Sequence, residues 1–229
     1  MPNQIGTLSE RSLHAELKGW LAQPGDQQEV QVDGFFIDIV RDVPTGGQLL
    51  IEIQTRNFGA MKRKLAKLLP NHQVLLVHPI PEVKWIVRET AVSTPISRRK
   101  SPKRGRVIDI FRELVSIPHL LTHPNLTIAV LLTHQEEVLR DDGQGSWRRK
   151  RWSLADKRLL EVKTEHRFEQ PTDFLKILPD DLPQPFTTRD LAEKSKITRN
   201  MAQRTAYTLK HINVITEVGK NGNFKLYTF

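Results

Sequence analysis

The chain has 229 residues, of which 38% are hydrophobic and 27% charged, with a formal net charge of +9 and no cysteine. That length supports one or two domains with real cores. The absence of thiols excludes disulfides and thiolate-based zinc or redox chemistry. No run approaches the roughly 18 apolar residues of a membrane span, and the opening Met-Pro-Asn-Gln-Ile-Gly lacks signal-peptide character, so the sequence reads as a soluble, cytoplasmic protein.

Two apolar runs come first, Gly34-Phe-Phe-Ile-Asp-Ile-Val40 and Leu49-Leu-Ile-Glu-Ile-Gln-Thr55. Both fit strands covered on each face, where an ionised carboxylate is costly unless something pairs with it. Side chains alternate along a strand, so Glu52 and Gln54 share a face. If Asp42-Val-Pro-Thr-Gly-Gly47 turns the chain into an antiparallel hairpin, Asp38 lies near Glu52. Two hard oxygen donors would then converge as Mg²⁺ or Mn²⁺ requires. The same residues are equally compatible with solvated strand ends paired with Arg41 or Lys18.

Asp38 in Phe-Ile-Asp-Ile-Val, followed by Glu52-Ile-Gln-Thr55, resembles the PD-(D/E)xK nuclease superfamily, over about residues 8–88. The resemblance implies a restriction-endonuclease-like core, an α/β fold with a mixed sheet flanked by helices. It makes Leu13-His-Ala-Glu-Leu-Lys18 a helix bearing a further acidic residue, Glu16. It makes 58–69 the next helix and 72–79 the following strand. The implied activity is Mg²⁺- or Mn²⁺-assisted hydrolysis of DNA phosphodiesters, with Asp38, Glu52 and the Ile53 carbonyl on the ion. Glu16 would serve a second ion or an outer water. The family's third-position lysine is Gln54 here, which would orient the attacking water without adding positive charge. Lys62 or Lys64 could replace that lysine, although solvated positions beside Arg63 and Lys67 suit both better. Enzymes of this superfamily often dimerise to cut two strands, so a homodimer is among the implied states.

The excess positive charge lies beyond that core. Residues 1–90 carry ten basic and ten acidic groups, 91–170 sixteen and ten, and 171–229 nine and six. Two clusters stand out, Arg98-Arg-Lys-Ser-Pro-Lys-Arg-Gly-Arg106 and Trp147-Arg148-Arg149-Lys150-Arg151-Trp152. Such density suits phosphate contact, and tryptophans add stacking surfaces. The first cluster reads as a basic linker over about 91–106. The second reads as a loop, with Trp152 either in a core or stacking on bases. Val107–Val115 reads as an amphipathic helix, Leu126–Thr133 as a strand, and Arg158–Glu165 as a further strand. His119 and His123 stand four apart, but the flanking prolines and the lack of a third ligand argue against zinc.

The prolines of 178–185 mark a boundary, giving domains at 1–170 and 171–229. Beyond it, Phe186–Ser195 begins with a threonine cap and forms a short helix, and Thr198–Lys210 forms a second. Val214–Val218 and Phe224–Phe229 then form a hairpin around Gly-Lys-Asn-Gly-Asn. Residues 184–229 resemble a winged helix-turn-helix domain. That resemblance places Thr198, Arg199, Asn200, Gln203 and Arg204 at base edges and Lys220 and Asn221 of the wing on backbone phosphates. As a whole the chain resembles an uncharacterised prokaryotic family with a nuclease-like core, a basic middle and a winged helix. Three functions follow: a metal-dependent DNA endonuclease, a DNA-binding or regulatory protein on an inactive nuclease scaffold, or a protein-interaction adaptor.

Overall fold

The computed structural model describes residues 12–44, 46–143 and 152–229. In chain order, helix α1 (Ser12–Leu21) precedes strands β1 (Gln27–Val32), β2 (Phe35–Asp42) and β3 (Gln48–Ile53). A 3-10 turn at Phe58–Met61 runs into α2 (Lys62–Leu68), then β4 (Gln73–Glu89) and β5 (Pro95–Lys100). A further 3-10 turn and α3 (Phe111–Leu114) lead to β6 (Leu126–Arg140) and β7 (Ser153–Phe168). The tail holds a 3-10 turn (Pro171–Ile177), α4 (Thr188–Lys194), α5 (Arg199–His211), β8 (Thr216–Asn221) and β9 (Phe224–Thr228). No helix among the described residues is long and apolar enough to cross a membrane.

Local chemistry accounts for the turns. Asp33 and Gly34, at φ 48° and 83°, join β1 to β2, the left-handed pair that a two-residue hairpin needs. β2 and β3 are antiparallel, with Ile39 opposite Ile51 and Val40 opposite Leu50. β3 and β4 are parallel, with Glu52 opposite Leu76, so the chain must cross between them, and α2 makes that crossing. The fold is therefore mixed α/β with a mixed sheet.

The chain divides into two compact units. One comprises Gly25–His78, Val107–Val130 and His166–Phe229. Its sheet runs β1-β2-β3-β4-β6, using the first parts of β4 and β6. Ile37, Ile39, Leu50, Ile51, Leu65, Leu68 and Phe111 are fully buried there. Phe174 of the last 3-10 turn stacks on Phe168 at 4.6 Å and meets Phe111 at 5.9 Å. Helix α5 packs on α3. Residues 171–229, set apart by the prolines of the sequence, thus share a compact unit with the β2–β3 hairpin.

The second unit holds α1, β5, β7 as far as Glu165 and the later parts of β4 and β6. The Arg98–Arg106 cluster, expected as a linker, is half strand: β5 pairs with β4, Lys100 opposite Trp85 and Arg98 opposite Val87. Ser101 then donates its N–H to Lys84 O, and Gly105 to Pro81 O. A Cβ at Gly105 would come within 2.5 Å of Ile80, so only glycine allows the approach. Arg98 and Lys100 lie over the Trp85 ring at 4.8 and 5.6 Å, which gives the basic residues a folded support. The expected helix at 107–115 is a 3-10 turn followed by four residues of α-helix.

Candidate functional site

The hairpin brings Asp38 and Glu52 together. Continuing the β2–β3 register by one step sets Asp38 opposite Glu52, and cross-strand neighbours share a face. Asp38 Oδ2 accepts the Ile53 N–H at 2.8 Å. The Asp38 backbone N–H in turn serves the Glu52 carboxylate. Each acid is therefore held by the other's strand.

Glu52 is 5% exposed. Burial pushes its pKa up to about 7; the Lys64 ammonium pulls it down, and the Asp38 charge raises it. Lys64 comes from the first turn of α2, and its Nζ lies 2.5 Å from Glu52 Oε1 and 2.5 Å from the Phe36 carbonyl. Its side chain is only 15% exposed. Of the two lysines weighed from sequence, Lys62 is exposed and Lys64 meets Glu52, contrary to the solvated position expected for both. A lysine on a helix after the motif can serve a site on the strand before it because the βαβ crossover folds the helix back over the sheet.

Gln54 has different partners. It follows the last residue of β3, and its amide donates to Arg56 O at 2.6 Å and Asn57 O at 3.2 Å. The turn it braces carries Asn57 in the left-handed region, at φ 59°. Glu113 of α3 takes the Phe58 N–H at 3.0 Å. These bonds fix the chain where β3 ends, immediately after Glu52 and Ile53.

His78 is a neighbour that the sequence reading passed over. It is 7% exposed, and its Nδ1 lies 2.7 Å from Gln54 O. A carbonyl only accepts, so Nδ1 carries the proton and Nε2 is the acceptor of the neutral ring. Burial holds the ring's pKa below the usual histidine value, against the Gln54 bond and the Glu113 charge. The detectable signal is register: β3 and β4 run parallel with Ile53 opposite Val77, which puts Gln54 opposite His78. Arg41, a candidate partner for the acids, instead forks onto Asp26 at 2.9 and 2.8 Å.

Glu16 lies in the other unit, on α1, where its carboxylate accepts the Leu159 N–H of β7. Arg148, Arg149, Lys150 and Arg151 fall outside the described residues, whereas Trp152 is half-buried with the Arg88 guanidinium 5.1 Å from its ring.

In the tail, Thr187 caps α4 by accepting the Arg189 and Asp190 N–H groups, with Asp190 reaching back to Thr187 N. Thr198 caps α5 through the Met201 N–H. Met201, Ala202, Thr205, Ala206 and Leu209 are buried, which turns Arg199, Asn200, Gln203 and Arg204 outward. Lys220 and Asn221 are also exposed on the hairpin. Arg199 sits over the Phe224 ring at 5.4 Å, tying the helix start to β9.

A family profile described as a domain of unknown function, DUF8091, matches residues 11–169. The chain belongs to the DUF8091 family. The matched segment contains Asp38, Glu52, Lys64 and His78 and stops just before the 3-10 turn that opens the tail. An uncharacterized protein of Treponema pallidum (strain Nichols) is 33% identical over 223 residues, covering 97% of this chain and 86% of the relative. The similarity to that relative therefore extends through nearly all of the tail, beyond the part that defines the DUF8091 match. No solved structure matches the chain.

Proposed function

We propose that this DUF8091 protein is a metal-dependent DNA endonuclease whose reacting centre is Asp38, Glu52 and Lys64. The observation that carries the reading is the buried Glu52–Lys64 pair between a hairpin strand and its crossover helix, with the Asp38 carboxylate beside Glu52. A structural ion pair needs one acid and one base. Here a second carboxylate, Asp38, stands beside the Glu52–Lys64 pair; burial does most to raise the Glu52 pKa, and the Asp38 charge adds to it.

The donor set fits a hard cation. Mg²⁺ is commonly bound by one or two carboxylates, with substrate phosphate and water completing its shell. No group of three acidic, histidine or cysteine side chains suited to a metal occurs among the described residues. Asp38, Glu52 and the Ile53 carbonyl would hold the ion, which when bound would acidify a water and draw charge from the phosphoryl oxygens. Asp38 fixes the Ile53 backbone and so the end of β3. Lys64 supplies the positive charge that Gln54 cannot, close enough to stabilise charge developing on a phosphate. Gln54 and Glu113 keep the turn after the acids in place.

The winged helix-turn-helix reading belongs to the same proposal. A cap, a short helix, a second helix with Arg, Asn and Gln outward, and a β-hairpin supply the parts that deliver duplex to a site. A second reading, a DNA-binding protein on a retired scaffold, draws on Lys64 already neutralising Glu52 and on the amide donors of Gln54 being engaged in the turn. Incubating plasmid, linear and branched DNA with Mg²⁺, Mn²⁺ or EDTA separates them. The nuclease reading expects metal-dependent cutting that Asp38→Ala abolishes. Tight, salt-sensitive binding without cutting would transfer the assignment to the second reading.

A further inference from the structure

Phe36 is 70% exposed, an unusual state for an aromatic ring on a strand whose alternate residues Ile37 and Ile39 are fully buried. Single exposed apolar side chains are common on protein surfaces, so position must distinguish this one. Phe36 and Asp38 are two apart on β2 and share a face, about 7 Å from one another along the strand. The Phe36 carbonyl accepts from the same Lys64 ammonium that meets Glu52, so the ring's backbone is tied to Glu52 through that lysine. Its neighbour Phe35 contrasts with it: that ring is half-buried, with Lys67 Nζ 5.5 Å from its centroid. Across the hairpin Gln31 pairs with Phe36 and is likewise exposed. An amide beside an exposed ring can donate to and accept from a base edge while the ring takes the base's face.

We propose that Phe36 is a base-stacking residue, and that the substrate of this site is DNA with an unpaired base next to the reacting phosphate. The inference rests on the phosphodiester reading above and narrows it to single-stranded, bulged or branched substrates over intact duplex. A ring on the face of β2 that carries Asp38 stacks on a base that has left its own stack, which costs least where the base is already unpaired. Stacking on an aromatic ring tolerates any base, so no sequence preference is expected from Phe36.

The test uses the full-length Asp38→Asn protein, which cannot cut but keeps an oxygen for the Ile53 N–H. It is mixed with oligonucleotides carrying 2-aminopurine at a one-base bulge or in a paired control. The bulged probe should bind at least about fivefold tighter and change fluorescence on binding. Phe36→Ala in that background should remove the change and weaken bulge binding about tenfold, with an unaltered melting temperature, while Phe36→Trp restores both. Equal affinity and fluorescence with and without the ring would overturn the inference while leaving metal-dependent cutting by wild type to stand. Absence of both binding and cutting in wild type would overturn the nuclease reading and this inference together.

Discussion

Between β3 and α2 one charged pair, Glu52 and Lys64, is withdrawn from water. On α5 and the β8–β9 hairpin the charged side chains face outward. Glu52 is 5% exposed and titrates near 7 under the influence of burial, Lys64 and Asp38. In the tail, Glu217 is held below the usual glutamate range by Lys210 and Lys225, in bonds on the protein surface. Exposed pairs of that kind contribute little to stability, whereas a buried charge that loses its partner is strongly destabilising. The first arrangement concentrates charge where chemistry would use it, and the second displays it where a polyanion could meet it.

Lys64→Ala should break this contrast most severely. It leaves Glu52 buried without its cation, so urea unfolding should show a loss of about 3 kcal/mol at pH 8. The loss should shrink at pH 6, where Glu52 takes up a proton. An unchanged midpoint at pH 8 would place Glu52 in water.

The pH dependence of the wild type comes next. The folded-state pKa of Glu52, about 7, exceeds its ordinary value of 4.5, so between these limits the folded protein keeps a proton that the unfolded chain has released. Stability from this group is complete below the lower value, is lost as pH rises toward 7, and levels off above, by at most about 3 kcal/mol. Glu52→Gln should flatten that slope, and Lys64→Ala should move it to higher pH.

The exposed helix should respond in the opposite sense. Arg199→Ala or Asn200→Ala should leave stability within about 0.5 kcal/mol and weaken duplex binding by about 1–3 kcal/mol if the side chain meets a base edge. Fluorescence anisotropy reads the second effect. The smallest change is Thr187→Ala, which removes the α4 cap at about 1 kcal/mol of stability with little direct effect on contact residues.

Period-two alternation and the Pro and Gly residues of 42–47 pointed to Asp38 beside Glu52 as one of two open readings, because hairpin register follows from local chemistry. The threonine cap of α4 was legible from local chemistry as well. β1 was not: Gln-Gln-Glu-Val-Gln-Val shows little apolar patterning because most of its residues are exposed. β4 also ran past expectation, through Pro79 and Pro81, which normally argue against a strand. These prolines lie between the stretch paired with β3, ending at Val77, and the stretch paired with β5, beginning at Trp85. Lys64, named from sequence but expected in solvent, and His78, passed over, had a different cause. Their relation to Glu52 and Gln54 depends on a parallel crossover, a non-local feature that residue spacing alone does not encode.

The most direct test compares plasmid nicking in Mg²⁺ by wild type, Lys64→Ala and Gln54→Ala, since the account assigns the site's cation to the helix and gives Gln54 a turn to brace. It predicts metal-dependent nicking that falls at least about 100-fold in Lys64→Ala and stays within about tenfold in Gln54→Ala. Nicking that survives loss of Lys64 but not of Gln54, or no metal-dependent nicking by wild type, would contradict it.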